Sequence, residues 1–240
     1  MADLYRAMSY TDPEPEDDDP LLAADWLVPW HAYLPTVLLA AGMTGVWLLH
    51  FPRGMSSWGI SGSALAEGRY DTVALHMFAH GPLVHILMNM VALVAIGGPL
   101  VARLGAPPAA WGRFLAFFVL SGLAGMAGYL AFHPHGTVPM LGASGALYGL
   151  LGLLLRLPPE PGPLLSLRTE RMRRAVLQLV KDNFWLFVVL ILPALLSGGQ
   201  GGLAWEAHLG SLLFGLFAGP CFLPREELEA GEMPAPETAA

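Results

Sequence analysis

The 240-residue sequence holds one cysteine, Cys221. No disulfide can therefore form within the chain, and Cys221 reads as a small apolar residue near a helix end. Charge is scarce as well. Only 13% of residues are Asp, Glu, Lys or Arg, against about a quarter in soluble domains. Of the 19 acids, eight lie in residues 1–25 and five in 226–237, which leaves the intervening stretch almost free of acid. The net charge of −7 thus belongs to the two ends, and a basic face for nucleic acid is absent. No signal peptide opens the chain: a basic segment followed by an apolar run is missing, and Asp17-Asp18-Asp19 stands instead. Insertion must then be directed by the first apolar segment itself. Two hydrolytic signatures are also lacking. There is no His-Glu-x-x-His, and Ala146 follows Ser144 by two where a Gly-x-Ser-x-Gly elbow needs glycine.

What is present is apolar: 55% of residues are hydrophobic, with mean hydropathy +0.53. These values predict an all-α polytopic membrane protein. Six apolar segments are expected at about 31–51, 83–102, 114–132, 140–157, 184–197 and 204–222. A membrane span needs roughly 20 residues, so the fourth and fifth are short. A short fourth helix would begin below the membrane surface, and the loop 133–139 before it would dip inward and carry water. The expected organisation is an acidic disordered cytoplasmic tail over 1–29, a six-helix membrane domain over 30–222 and a second acidic cytoplasmic tail over 223–240. Lysine and arginine placement sets the orientation. An even number of spans puts both termini on one side, with ten basic residues from Arg6 to Arg225, including a basic loop over 156–181. The other side receives Arg53 and Arg69. Both termini are accordingly expected in the cytoplasm, with the loops 52–79, 133–139 and 198–203 facing outward.

Polar groups inside apolar segments are costly and mark function by default. Ser144 lies in a charge-free stretch, His208 on the sixth segment, and His80, His85 and Asn89 at and within the second. Ser144 and His208 both follow outward loops, so they fall at one depth. A base must come within about 3 Å of the hydroxyl it deprotonates. Gly145 and Gly149, with Gly210 and Gly215, offer small faces for such an approach, although faces of this kind also serve plain packing. Tyr148 lies one turn beyond Ser144, and His85 and Asn89 share a helix face. N–H groups at the start of the fourth helix lack intrahelical partners and suit a developing oxyanion. A zinc site built from His80, His85 and His208 has no acid placed as base. Glu206 is the only acid within an expected span. It lies two residues before His208 and reads as an interfacial group facing water, poorly placed to orient the base.

The pieces His80-Gly-Pro-Leu-Val-His85-Ile-Leu-Met-Asn89, Gly142-Ala-Ser144-Gly145-Ala-Leu-Tyr148-Gly149 and Ala207-His208-Leu-Gly210 resemble the rhomboid family of intramembrane serine proteases in order and spacing, over about residues 30–222. The resemblance implies a six-helix bundle and a Ser–His dyad without aspartate. Ser144 would be the nucleophile and His208 the base, with Tyr148 packed on its ring. His85, Asn89 and the Ser144 N–H would form the oxyanion hole. Gly142 and Gly145 would permit close approach, and His80 and His76 would support. It implies neither cofactor nor metal. It also implies transmembrane segments of other proteins as substrates, cut near the outer face of a bacterial inner membrane within the lipid bilayer. The alternative is a catalytically silent rhomboid-like protein that binds membrane clients. Two departures stand out: Arg69-Tyr70-Asp71-Thr72 occupies the place where Trp-Arg is common in the family, and Ser211 the place of a frequent glycine.

Overall fold

The computed structural model describes residues 28–158, 162–196 and 204–225. The expected acidic tails, apart from their inner edges, and the loop 198–203 lie outside the described residues. The helices are α1 Trp30–His50, α2 Gly62–Ala66, α3 Thr72–Leu75, α4 Leu83–Arg103, α5 Ala109–Phe132, α6 Ser144–Arg156, α7 Glu170–Leu196 and α8 Trp205–Phe217. Three stretches, Trp30–Arg53, Leu83–Arg103 and Ala109–Phe132, are long and apolar enough to cross a membrane. Their outer faces carry Leu38, Leu49, Leu87, Val91 and Leu120, side chains whose solvent in a spanning helix is lipid. The chain is thus a helical integral membrane protein with several spans.

Three element boundaries depart from expectation by five residues or more, and one is the end of α8, at Phe217 where the apolar segment runs to 222. α5 begins at Ala109, five residues before the apolar run, and α7 begins at Glu170. Much of the expected basic loop 156–181 is therefore helical. Apolarity alone missed this start, because α7 opens amphipathically. Glu170 accepts from Arg173 and Arg174 one turn on, pairs that favour helix, while Met172, Ala175 and Leu179 bury one face against Leu155 and Leu216.

The loop between α1 and α4 is built rather than slack. Ser61 caps α2 by accepting from the Ala64 N–H at 3.1 Å. Arg69 forks onto both Asp71 carboxylate oxygens and reaches the Ser57 carbonyl at 2.8 Å. The guanidinium holds the exposed Asp71 carboxyl below its usual range, by hydrogen bond first and by charge second. Ile60 and Met140 exchange backbone hydrogen bonds, each 2.8 Å long, which fastens this loop to the segment entering α6.

α5, α6 and α8 pack against one another, with α4 alongside α6. Ala146, Leu147, Leu150, Leu153 and Leu154 are buried on it. The α6–α8 approach leaves no room for side chains. A Cβ on Gly215 would run into the Gly149 carbonyl, and one on Gly152 would lie 3.0 Å from the Gly215 Cα. The expected small-residue faces are thus used, but differently. Gly210 lies against Gly128 of α5 and not against α6, and a Cβ on Gly145 would sit 3.4 Å from the Ser211 hydroxyl, in ordinary contact. Ser211 donates to the Ser121 carbonyl at 2.8 Å, so it bonds to α5 where glycine would only make space.

A Gly215→Leu substitution should lower thermal stability by roughly 1–3 kcal/mol, the usual cost of overpacking. Gly42→Ala, where a Cβ meets nothing within 4 Å, should leave it unchanged or slightly raised. Thermal unfolding in detergent measures both.

Candidate active site

Ser144 is the first residue of α6, and His208 lies in the first turn of α8. Both helix starts fall at one end of the bundle, with the C-termini of α1 and α5 and the N-terminus of α4. The Ser144 hydroxyl lies 2.8 Å from His208 Nε2. The Tyr148 ring stacks on the His208 ring at 4.2 Å between centroids and 9° between planes. His208 is buried. One turn of α6 therefore supplies both the hydroxyl and the plate that fixes the imidazole facing it.

His85 supplies the third element. Its Nδ1 accepts from the Gly81 N–H at 3.2 Å, which leaves the ring proton on Nε2. Trp47 Nε1–H donates to the Gly81 carbonyl at 2.9 Å, so α1 helps hold the residue whose N–H sets this tautomer. Gly142 has φ +118°, a left-handed conformation that favours glycine. A Cβ on it would lie 2.8 Å from His85 Nε2 and 3.9 Å from the Ser144 hydroxyl. Its missing side chain opens the space between the two groups. Asn89 is buried on the same face, and its amide N–H donates to the His85 carbonyl at 2.8 Å. Asn89 Oδ1 has no hydrogen-bond partner among the described residues.

His76 and His80 hold the approach to α6. The His76 carbonyl accepts from the Gly142 N–H at 2.8 Å, and its Nδ1–H donates to the Thr72 carbonyl at 3.1 Å. His80 Nδ1–H donates to the Phe78 carbonyl at 3.1 Å, leaving Nε2 to accept from the Ala143 N–H at 3.4 Å. With Leu147 the first to bond back, to the Ala143 carbonyl, the N–H groups of Ser144, Gly145 and Ala146 have no intrahelical acceptor. A small cavity beside Ser144 is lined by His76, Met126, Met140 and Ala204, among others. No group of three or more metal-ligating side chains occurs among the described residues.

Glu206 corrects the reading from sequence. It does not face water: it is 8% exposed, and its carboxylate accepts from His133 Nε2–H at 2.8 Å. The loop 133–139 is held by hydrogen bonds at two points. Tyr129 donates to the Val138 carbonyl at 2.7 Å, and the Ser63 N–H to the Gly136 carbonyl at 3.0 Å. Sequence reasoning gave Trp47, Gly81, Tyr129 and His133 no such part. Each acts through a partner far along the chain or through its backbone, and no local spacing signals such bonds.

The hydrogen bonds assign opposite tautomers to neighbouring rings. 15N spectra of histidine-labelled protein should give His85 as the Nε2–H form and His80 as the Nδ1–H form. The reverse pattern would sink the assignment of the donor facing Ser144.

Sequence comparison places the chain in a family. The Rhomboid domain profile matches residues 67–225. The chain is 26% identical over 156 residues to Rhomboid protease GluP of Bacillus subtilis, covering 65% of this chain and 27% of that protein. It is 30% identical over 162 residues to RHOMBOID-like protein 5 of Arabidopsis thaliana, covering 67% and 47%. The matched region thus spans about a quarter and about half of these relatives' lengths. The profile covers well over half of the chain, and the chain belongs to the rhomboid family.

Proposed function

We propose that the protein is an intramembrane serine endopeptidase that cleaves transmembrane segments of other proteins by a Ser144–His208 dyad. The observation that carries this reading is the 2.8 Å contact between the Ser144 hydroxyl and His208 Nε2, with Tyr148 stacked behind the ring. Family membership supports it. Six spans with both termini cytoplasmic are proposed with it. Arg103 and Arg156 close α4 and α6 at the end opposite the site, while Arg53 and Arg69 lie toward the site. By the positive-inside bias this faces the site outward.

In the proposed reaction His208 Nε2 takes the Ser144 proton as the oxygen attacks the substrate carbonyl carbon. The carbonyl π pair moves onto oxygen. That oxyanion accepts from His85 Nε2–H, the Asn89 amide and the Ser144 N–H, donors set in advance of the charge. Asn89 must turn its amide, or use its second N–H, because the first is held by the His85 carbonyl. Collapse breaks the C–N bond, and His208 returns the proton to the departing amine. Water then attacks the acyl-enzyme, giving its proton to His208, and collapse returns Ser144 and a carboxylic acid. The cavity beside Ser144 gives this water a place near the ester. Without an aspartate, the imidazole is held by Tyr148 stacking and by the helix that carries it.

Ser144→Ala and His208→Ala should each lower cleavage of a tagged transmembrane substrate by at least about 10³-fold, as for residues that act as one unit, with thermal unfolding unchanged. A fluorophosphonate probe should label the wild type and not Ser144→Ala. Folded, unlabelled wild-type protein in both detergent and bilayers would favour the client-binding alternative.

A further inference from the structure

We propose that Glu206 and His133 form a positioning pair that sets the height and rotation of α8, and so the distance from His208 to Ser144. The proposal rests on the dyad reading above and adds two residues that take no part in its chemistry.

The pair joins two pieces of chain that the dyad needs in register. His133 closes α5 and opens the segment that runs to Ser144. Glu206 lies in the first turn of α8. The His133 side is firmly anchored: its N–H donates to the Tyr129 carbonyl at 3.0 Å, its ring lies 4.8 Å from the Tyr129 ring, and its carbonyl accepts from the Gly136 N–H at 3.1 Å. On the α8 side the described residues offer the edge-on packing of Trp205 on Phe132, 5.5 Å between ring centroids, and the Ser211 bond to the Ser121 carbonyl further along the helix, but no polar side-chain contact in the first turn that binds it to the 133–143 segment other than Glu206. Ala204 stands at the N-cap position and supplies no side-chain cap, where Ser, Thr or Asp would normally fix the start of a helix. The Glu206 backbone is pressed onto α5: a Cβ on Gly128 would lie 2.7 Å from the Glu206 carbonyl oxygen. The bond of 2.8 Å from His133 to the buried carboxylate therefore fixes a turn whose end lacks its own cap.

Glu206 cannot act on the imidazole directly. Two residues along a helix turn through about 200°, so the carboxylate faces α5 and the loop while His208 faces Ser144. Its influence must pass through the backbone of one turn. That is sufficient, because proton transfer is sensitive to displacements near 1 Å.

The test uses the full chain in detergent and the fluorophosphonate probe, read as the limiting labelling rate and the probe concentration giving half that rate. Glu206→Met keeps the volume and removes the acceptor; Glu206→Gln keeps an acceptor oxygen for the same Nε2–H. The Met variant should lose about tenfold in limiting rate, with the half-saturating concentration within about twofold, and the Gln variant should recover most of that loss. His133→Ala should match Glu206→Met, and the double variant should be no slower than either. Additive losses, a change confined to the half-saturating concentration, or a Gln variant as slow as Met would overturn the pair. Thermal unfolding of each variant separates slow labelling from unfolding. Should the wild type not be labelled, the dyad reading falls by itself. The pair is then read from the His133 15N signals. Its Nε2 shift should stay near the wild-type value in Glu206→Gln and move to that of a solvent-bonded ring in Glu206→Met, and an unchanged shift in both would overturn it.

Discussion

Backbone contact between α6 and α8 is the constraint on which the rest of this structure depends. The Gly215 Cα lies against the Gly149 carbonyl, and the Gly152 Cα lies close by, so the two helices meet at a distance that no side chain permits. Helix association in a bilayer gains little from apolar burial, since lipid is as apolar as leucine, and relies on close packing. Here that packing also brings a hydroxyl on one helix within hydrogen-bond reach of an imidazole on the other. Tyr148 uses the same closeness to stack on His208. A wider spacing would leave both residues in place along the sequence and apart in space.

The site end of the bundle solves a second problem, that of irregular backbone next to a membrane. The segment 133–143 is not helical, and its polar groups need partners. They find them in the loop between α1 and α4 and in a row of histidines. Gly136 pairs with Ser63, Met140 with Ile60, and Gly142 with the His76 carbonyl. His80 receives the Ala143 N–H, which leaves the next N–H groups of α6 aimed at the space before Ser144. Each bond satisfies a backbone group and also orients a candidate reactive one. The loop between α1 and α4 is therefore part of the site's scaffold, despite its distance in sequence from Ser144.

Much of this was legible beforehand, because some signals are local. Apolar length marks α1, α4 and α5. The i, i+4 spacings that join Ser144 to Tyr148 and His85 to Asn89 are fixed by helix geometry alone. The scarcity of acids in the middle of the chain marks a membrane protein without any reference to fold. Glu206 was misread for the same reason that these succeeded. An acid near the end of an apolar segment ordinarily faces water, and nothing nearby in sequence names His133, 73 residues earlier, as its partner. The start of α7 was missed because its first turns are held by ion pairs and one buried face, not by continuous apolarity.

The sequence by itself determined the membrane class, the family pattern and which side chains are chemically able to act. It did so through composition, periodicity and spacing, which are properties of short stretches. The tertiary structure decided which of those groups meet and in what protonation form. The Ser144–His208 contact and the burial of Glu206 against His133 join segments far apart along the chain, and the local Gly81–His85 bond that sets the His85 tautomer is itself held from α1 by Trp47. Hydrogen bonds act over about 3 Å, and only the packing of α5, α6 and α8 brings such distances about.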